Sequence, residues 1–257
     1  MPAENAVAAP RAPRLLAFDC ATERMAVAVV HGERTWCADE DGGAAASSRL
    51  LPCIFELLAQ AHLRLNDLDA VAFGRGPGAF TGLRGASAVA QGLAFGVGVP
   101  VLAIDSLAIV AEAAWQAHGA QASHLWVAMD ARLDGVYAAA YRHDGDAWQT
   151  DTAPALWSVD ELAEHWRHWP PGCIAGTALA VHPGRLGPGN ALACLLASSA
   201  RASPLASLAR VAWQRGEGVE AGQALPVYLR DKVASTTAER AAAAQAGAQL
   251  AATPAAA

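Results

Sequence analysis

The sequence predicts an α/β fold built from two related lobes, and three observations support this prediction. Each half of the 257-residue chain begins with apolar runs that carry an aspartate, Asp19 in "LLAFD" and Asp130 in "LWVAMD". Each of these runs is followed by a second strand-like run, and helical periodicity appears only later. The run that ends at Asp19 is continuously apolar, which is typical of a strand buried on both faces of a sheet that helices cover.

The first half contains three predicted strands and one long helix. "RLLAFD" and "MAVAVV" predict two strands, and the turn "HGE" that follows predicts a hairpin to a third. In "SSRLLPCIFELLAQA" apolar residues recur at helical spacing, Ser47 or Ser48 can cap the start, and Pro52 lies close to the first turn. Phe55 and Cys53 widen the apolar arc of this helix, which indicates a second contact surface.

The remaining elements follow in alternation. "DAVAFGRG" predicts a strand that enters a glycine-rich loop, and residues 82–97 are predicted to form the next helix. "VPVLAIDS" predicts a strand followed by a helix through about residue 117. The second half opens with "HLWVAMDARLDGVYAAAYRH", which predicts two strands joined through Asp134-Gly135, a favourable hairpin turn. Further helices are expected near residues 158–168 and 203–216.

Composition excludes several functional classes. The net charge is −6 with 54% hydrophobic residues, so the chain lacks the basic character of a protein that grips nucleic acid alone. The five cysteines contain no CxxC pair, which argues against a zinc knuckle or a disulfide framework. The first residues lack the apolar core of a signal peptide, and no run of about 18 apolar residues predicts a membrane span. We therefore expect a cytoplasmic protein.

The loop "GRGPGAFTGLR", residues 74–84, departs from both common phosphate-binding patterns. No lysine follows its glycines, as the Walker A loop requires, and Ala79 occupies the third glycine position of GxGxxG. Pro77 removes a backbone donor from the loop. Its position between a strand and a helix N-terminus nevertheless suits anions in general.

The helix after this loop carries small residues on one face, namely Gly85, Ala88, Gly92 and Gly96. A glycine inside a helix costs roughly 0.5–1 kcal/mol relative to alanine. Two explanations stay open: close packing on the chain's own sheet, or a helix–helix interface with another subunit.

These residues also carry a family resemblance. "GRGPGAFTGLRGASAVAQGLA" resembles the GxGPGSFTGLR loop and helix of the TsaB (YeaZ) family. "LLAFDCATERMAVAV", "SSRLLPCIFELLAQA", "AIDSLAIVA", "AMDARLDGVYAAAYR" and "PVYLR" resemble further segments of that family in the same order, over roughly residues 14–231. The chain departs at Ala79, where serine is usual, at Cys20 and Ala21, which replace Thr-Ser, and at Ser47, where histidine is common.

The resemblance implies an actin/Hsp70-like (ASKHA) fold with two ribonuclease-H-like lobes. We predict a disordered extension over 1–13, an N-terminal lobe with partner-binding helices over 14–108, and a C-terminal lobe over 109–220. A closing segment over 221–233 is expected to return to the N-terminal lobe, and the Ala-rich tail 234–257 is expected to be disordered.

The resemblance also implies a role without catalysis. Family members pair with TsaD, which makes threonylcarbamoyladenosine in tRNA, with TsaE as the ATPase and TsaC as the source of threonylcarbamoyl-adenylate. Active relatives bind ATP through glycine-bearing turns after the strand aspartates, and TsaD holds a metal through HxxxH. Here the turns lack that glycine, and the closest histidines, His165 and His168, are spaced HxxH. We therefore expect no catalytic residue, metal or cofactor on this chain, with ATP and metal on TsaD and TsaE.

The resemblance places the partner interface on the two helices singled out above. Thr81 is expected to cap the second of them, with Phe80 and Leu83 as anchors. The predicted interface residues are Leu51, Ile54, Phe55, Leu58, Phe80, Thr81, Leu83, Arg84, Ser87, Ala88, Gln91 and Gly92. The predicted vestigial turns between the lobes contain Asp19, Thr22, Asp130 and Arg132.

Two interpretations stay open for several residues. Asp19 and Asp130 are either catalytic carboxylates across a cleft or turn residues that accept backbone hydrogen bonds. Arg84 contacts either a phosphate or an acidic group of the partner, and Arg230 and Lys232 belong to a solvated terminus. His165, His168 and the tryptophans Trp157, Trp166 and Trp169 form either a base-stacking site or an amphipathic surface helix.

The alternatives for the whole chain are an independent ASKHA ATPase, an M22-like peptidase, or a homodimer that forms without TsaD. Contact with tRNA is expected only through the complex.

Overall fold

The computed structural model describes residues 12–186, 192–194 and 200–230, which form two five-stranded sheets and six α-helices. The tails predicted as disordered lie outside these residues, apart from residues 12 and 13, and so does Lys232. The elements in chain order are β1 (Arg14–Asp19), β2 (Arg24–His31), β3 (Arg34–Asp41), α1 (Ala46–Gln60), β4 (Ala70–Gly76), α2 (Phe80–Val97), β5 (Val101–Asp105), α3 (Ser106–His118), β6 (His124–Asp130), β7 (Gly135–His143), β8 (Trp148–Ser158), α4 (Val159–His168), β9 (Cys173–Ala175), α5 (Ala178–Val181), β10 (Leu192–Cys194) and α6 (Ala202–Gln214).

The two sheets repeat one topology. Their strand orders are β3-β2-β1-β4-β5 and β8-β7-β6-β9-β10. In each sheet the first three strands pair antiparallel, and the fourth and fifth add in parallel beyond the first. This duplicated ribonuclease-H-like order confirms the predicted fold class of two related α/β lobes.

The central strands explain why the fold is layered. Leu15, Leu16, Ala17 and Phe18 of β1 are all fully buried, because alternate side chains enter the packing on opposite faces of the sheet. On one face, Leu16 and Phe18 pack with α1 and α2. On the other face, Leu15 and Ala17 pack with α6.

Helices α3 and α6 lie between the sheets, and α3 packs on the second sheet while α6 packs on the first. Residues of α3 share a core with the second sheet, although the sequence boundary falls within that helix at residue 108. Residues of α6, which that boundary assigns to the C-terminal lobe, pack on the first sheet. An amphipathic pattern shows that a helix has a buried face, but not which sheet the face meets.

Helix starts are where local prediction was least accurate. Helix α1 begins at Ala46 behind Ala45, and neither Ser47 nor Ser48 caps it, so that expectation was wrong. Helix α2 begins at Phe80 rather than residue 82. In the described part of the chain, we find no helix with the length and apolar character that a membrane crossing requires.

Candidate functional site

The glycine-rich loop packs tightly on the turn that follows β1. A Cβ atom on Gly74 would lie 1.9 Å from Oδ2 of Asp19, and one on Gly78 would lie 2.4 Å from the carbonyl oxygen of Ala21. The N–H of Ala79 donates to that same carbonyl oxygen at 2.8 Å, and the N–H of Gly76 donates to Oγ of Ser106 at 3.0 Å. Close packing against the turn after β1 therefore explains why glycines stand here, and no bound phosphate is needed to explain them.

The glycines further along α2 have a different environment. Among residues 12–186, 192–194 and 200–230, no atom lies within 4 Å of Cβ atoms built on Gly85, Gly92 and Gly96, and all three residues are exposed, as is Ala88. The same helix faces its sheet through Ala86, Ala90 and Ala94, which are fully buried. Packing on the chain's own sheet therefore does not explain the small-residue face.

The structure divides the predicted interface residues into two groups. Leu51, Phe55, Thr81, Arg84, Ala88 and Gly92 are exposed, and Phe80 and Gln91 are half-buried. Ile54, Leu58, Leu83 and Ser87 are buried within their own lobe, at 0%, 2%, 1% and 5% exposure, so their side chains support the two helices from inside. Leu83 is thus a core residue rather than a surface anchor.

Thr81 does not cap α2. The N-cap position is Ala79, and no side chain caps the first turn. The expectation of a threonine cap was wrong because the helix starts one residue before Thr81, which places Thr81 inside the first turn.

A cluster at the start of α2 involves a residue that sequence reasoning missed. The guanidinium of Arg84 lies 3.9 Å from the ring centre of Phe80, and its Nε donates to the hydroxyl of Tyr228 at 3.2 Å. The rings of Phe80 and Tyr228 are 5.1 Å apart. This arrangement holds Arg84 by cation–π and hydrogen-bond contacts, with an exposed side chain. In the sequence, the only indication of a role for Tyr228 was its place in "PVYLR", one of the segments that resemble the family.

The segment that contains Tyr228 runs beside α2. Oγ of Ser87 and Nε2 of Gln91 donate to the carbonyl oxygen of Ala224 at 2.8 and 3.2 Å. The N–H of Val227 donates to the carbonyl oxygen of Arg75 at 2.7 Å. Two of the predicted interface side chains therefore fix this segment to the first lobe.

Large apolar side chains flank the small-residue face. Phe95 of α2 is 84% exposed, and Phe55 and Leu51 of α1 are 50% and 41% exposed. The exposure of Phe95 was not predicted, because a single aromatic residue among small residues is equally typical of the core. Together with Gly85, Ala88, Gly92 and Gly96, these three side chains form what we call the α1/α2 surface.

A cleft of about 1890 Å³ separates the lobes beside this surface. Its lining includes the turns after β1 and β6, the loop before α2, and the starts of α3 and α6. Asp19 lies at this junction and is fully buried. Its Oδ1 accepts the N–H of Ala21 at 2.8 Å, its Oδ2 accepts the hydroxyl of Ser106 at 2.6 Å, and Nη2 of Arg201 lies 3.4 Å from Oδ1. The carboxylate is thus occupied by the chain's own groups.

The second aspartate occupies a similar turn. Oδ1 of Asp130 accepts the N–H of Arg132 at 3.2 Å and lies 3.5 Å from Nε2 of His182. Arg132 pairs with Glu23 across the cleft at 2.6 Å. In the turn after β1, Thr22 exchanges hydrogen bonds with the backbone of Arg24. All four residues predicted at the inter-lobe turns therefore make local or cross-cleft contacts.

Other predicted groups lie elsewhere. Arg230 donates to the carbonyl oxygens of Ala131 and Arg132 at 3.1 and 3.2 Å, so it bridges the cleft instead of ending in solvent. On α4, Trp166 is buried while Trp169 is 65% exposed. Within the described ranges, no group of three or more His, Cys, Asp or Glu residues is placed to hold a metal ion.

The chain is similar in sequence to proteins of tRNA threonylcarbamoyladenosine biosynthesis. The profile of the TsaD family, described as tRNA N6-adenosine threonylcarbamoyltransferase, matches residues 40–183. A protein of Escherichia coli strain K12 named tRNA threonylcarbamoyladenosine biosynthesis protein TsaB is 32% identical over 242 residues, which cover 86% of this chain and 96% of that protein. The chain belongs to the TsaB family.

Other TsaB relatives agree. The protein of the same name from Haemophilus influenzae is 47% identical over 124 residues, which span 48% of this chain and 51% of that relative. The solved structure of YeaZ from Pseudomonas aeruginosa superimposes with a TM-score of 0.75 at 41% identity and covers 84% of this chain and all of that one. A second Pseudomonas aeruginosa structure, described as similar to peptidase YEAZ, gives a TM-score of 0.77 at 41% identity.

Proposed function

We propose that this chain is the non-catalytic partner of TsaD in tRNA threonylcarbamoyladenosine biosynthesis. In this role it supports TsaD as that enzyme transfers the threonylcarbamoyl group from threonylcarbamoyl-AMP to an adenosine in tRNA. The acceptor is the adenosine beside the anticodon of tRNAs that read codons beginning with adenine. Membership of the TsaB family supports the pathway, and the α1/α2 surface supports the partnership.

The observation that carries the proposal is the solvent-facing glycine face of α2. Three exposed glycines weaken an isolated helix, and no residue that the structure describes approaches them. A second helix packed there can come close to the backbone, as at small-residue helix crossings. The exposed Phe55 and Phe95 beside this face supply apolar area of the kind enriched at interface centres.

The state of Asp19 supports a role without catalysis. The Asp19 carboxylate is fully buried, accepts two hydrogen bonds and has a guanidinium beside it, so it exposes no oxygen to a ligand in the cleft. We infer that ATP and metal bind to TsaD and TsaE, that TsaC supplies the threonylcarbamoyl-adenylate, and that tRNA contacts this chain only within the complex. The complex would then act in the cytoplasm.

Sedimentation velocity of the chain with TsaD tests the pairing. We expect a mixed species with the unaltered chain and none with Gly92→Leu, whose side chain would occupy the α1/α2 surface. Gly172→Leu is the matched control, because Gly172 is also exposed and open around Cβ but lies on the second lobe. Equal complex formation by all three chains would overturn the proposed surface, and no complex with the unaltered chain would overturn the partnership.

Self-association is a separate outcome of the same experiment. Without TsaD, we expect the α1/α2 surface to pair with a second copy, so that a dimer forms at high concentration and Gly92→Leu abolishes it. A dimer that survives this substitution would place self-association on another surface.

An independent ATPase is the second candidate, and the large inter-lobe cleft favours it. It requires the isolated chain to bind a nucleotide. Titration calorimetry with ATP and Mg²⁺ separates the two proposals, since the partner role predicts no heat of binding from the isolated chain.

A further inference from the structure

We propose that a buried hydrogen-bond network, the inter-lobe lock, holds the two lobes at a fixed angle. The lock lies where the chain crosses between lobes, at the start of α3 and the start of α6. Its members are Asp19, Asp39, Gly76, Asp105, Ser106, Tyr141, Arg201 and Ala202. The inference concerns the cleft and does not depend on which partner binds the α1/α2 surface.

At the first crossing, Asp105 ends the last strand of the first sheet and joins it to the second. Its Oδ1 accepts the N–H of Leu107 at 2.9 Å and so caps α3. Its Oδ2 accepts the hydroxyl of Tyr141, a residue of β7 that is 1% exposed, at 2.7 Å. Asp105 is half-buried, and this burial raises the pKa of its carboxyl.

The next residue ties α3 back to the first lobe. The hydroxyl of Ser106 donates to Asp19 at 2.6 Å and accepts the N–H of Gly76 at 3.0 Å, and Ser106 is 2% exposed. Both bonds therefore hold the first residue of α3, the helix that packs on the second sheet, against the first lobe. The bond to Gly76 also fixes the loop that leads into α2.

At the second crossing, Arg201 joins the start of α6 to the start of α3. Its Nη2 donates to the carbonyl oxygen of Ser106 at 3.3 Å and lies 3.4 Å from Asp19. The N–H groups of Arg201 and Ala202 donate to Oδ1 of Asp39 at 2.8 and 3.1 Å, which anchors the start of α6 to β3.

Rotation of one lobe against the other would break the bond between Tyr141 and Asp105 and would displace the start of α3 from Asp19 and Arg201. Asp19, Ser106, Tyr141 and Arg201 are buried, and Asp39 and Asp105 are half-buried, so movement at this point must hydrate or orphan buried polar groups. At the opposite rim, Arg132 with Glu23 and Arg230 with the carbonyl oxygen of Ala131 add further ties. The geometry points to a cleft that keeps one opening instead of closing around a ligand.

Double electron–electron resonance measures the lobe angle directly. Spin labels go on Thr81→Cys and Val181→Cys, because these exposed residues line the cleft from opposite lobes. The background replaces Cys37 and Cys194 with serine, and an excess of unlabelled chain suppresses distances between copies. The variants are Tyr141→Phe and Ser106→Ala. The control is Tyr137→Phe, which removes a hydroxyl from the same strand.

We expect one narrow distance in the unaltered chain and in the control. Each lock variant should lower the ratio of locked to open lobes about fivefold to tenfold, as loss of one buried hydrogen bond implies. A second or broadened distance should therefore appear in the variants and grow in their combination. A broad distribution in the unaltered chain, or distributions in folded variants as narrow as the control, would overturn the lock. Circular dichroism establishes that each variant is folded.

Discussion

Replacing the three open glycines of α2 by alanine should make the protein more stable and a poorer partner. Gly85, Gly92 and Gly96 all lie inside Phe80–Val97, are exposed, and leave the space around a built Cβ empty. None has a positive φ, so alanine fits the helical backbone without strain. Alanine is favoured over glycine in a helix interior by roughly 0.5–1 kcal/mol, so the triple variant should gain about 1.5–3 kcal/mol.

The assay is urea unfolding followed by circular dichroism, together with the thermal midpoint. For a chain of this size the gain corresponds to a rise of roughly 3–12 °C. Sedimentation with TsaD should show the opposite effect, since three methyl groups on a close helix crossing cost about 1–3 kcal/mol through overpacking. Gly172→Ala serves as the control, because that glycine is exposed and open but lies outside any helix.

Two results would refute this reasoning. A loss of stability would mean that the glycines are packed against this chain or against a second copy. Concentration dependence of the loss then separates these two cases, since only contact with a second copy weakens on dilution. If the triple variant is more stable but binds TsaD as well as the unaltered chain does, the glycines have no role in binding the partner.

Three further predictions concern single residues in other parts of the fold. Gly74→Ala should destabilise the fold by about 3 kcal/mol or more in urea unfolding, because the new methyl would lie 1.9 Å from Oδ2 of Asp19; an unchanged midpoint would contradict this. Burial raises the pKa of Cys20 to about 12, so iodoacetamide at pH 8 should label the exposed Cys37 first, as peptide mass spectrometry would show. Backbone N–H groups of its own turn lower the pKa of Asp144 from 3.8 to about 2. Its contribution to stability should therefore be complete above about pH 5 and be lost progressively as pH falls through 2, with the carboxyl followed by NMR titration.

The sequence predicted the fold well where local pattern and buried position agree. The continuous apolar runs before Asp19 and Asp130 identified the first strand of each lobe, because a strand buried on both faces leaves few polar positions. The sequence did not predict that α6 would pack on the first sheet, since helical periodicity carries no information about the partner surface. It also missed Tyr228, whose contact with Arg84 spans 144 residues of chain.

The candidate site shows why composition alone left the use of the glycine loop open. Within residues 74–96 the glycines look alike in sequence, yet they fall into two classes in the structure. Gly74, Gly78 and Gly82 each sit where a Cβ would lie within 2.4 Å of another atom of this chain, so the fold itself requires them. A Cβ on Gly85, Gly92 or Gly96 would meet no atom of the described residues, so contacts among those residues do not offset the cost of glycine in the helix. Because the boundary between the classes falls within one helix, the loop anchors the first turn of α2 to the lobe while the rest of the helix stays exposed. A protein shaped only by its own stability would not keep the second class, which is the strongest reason to look for an occupant that the described residues do not supply.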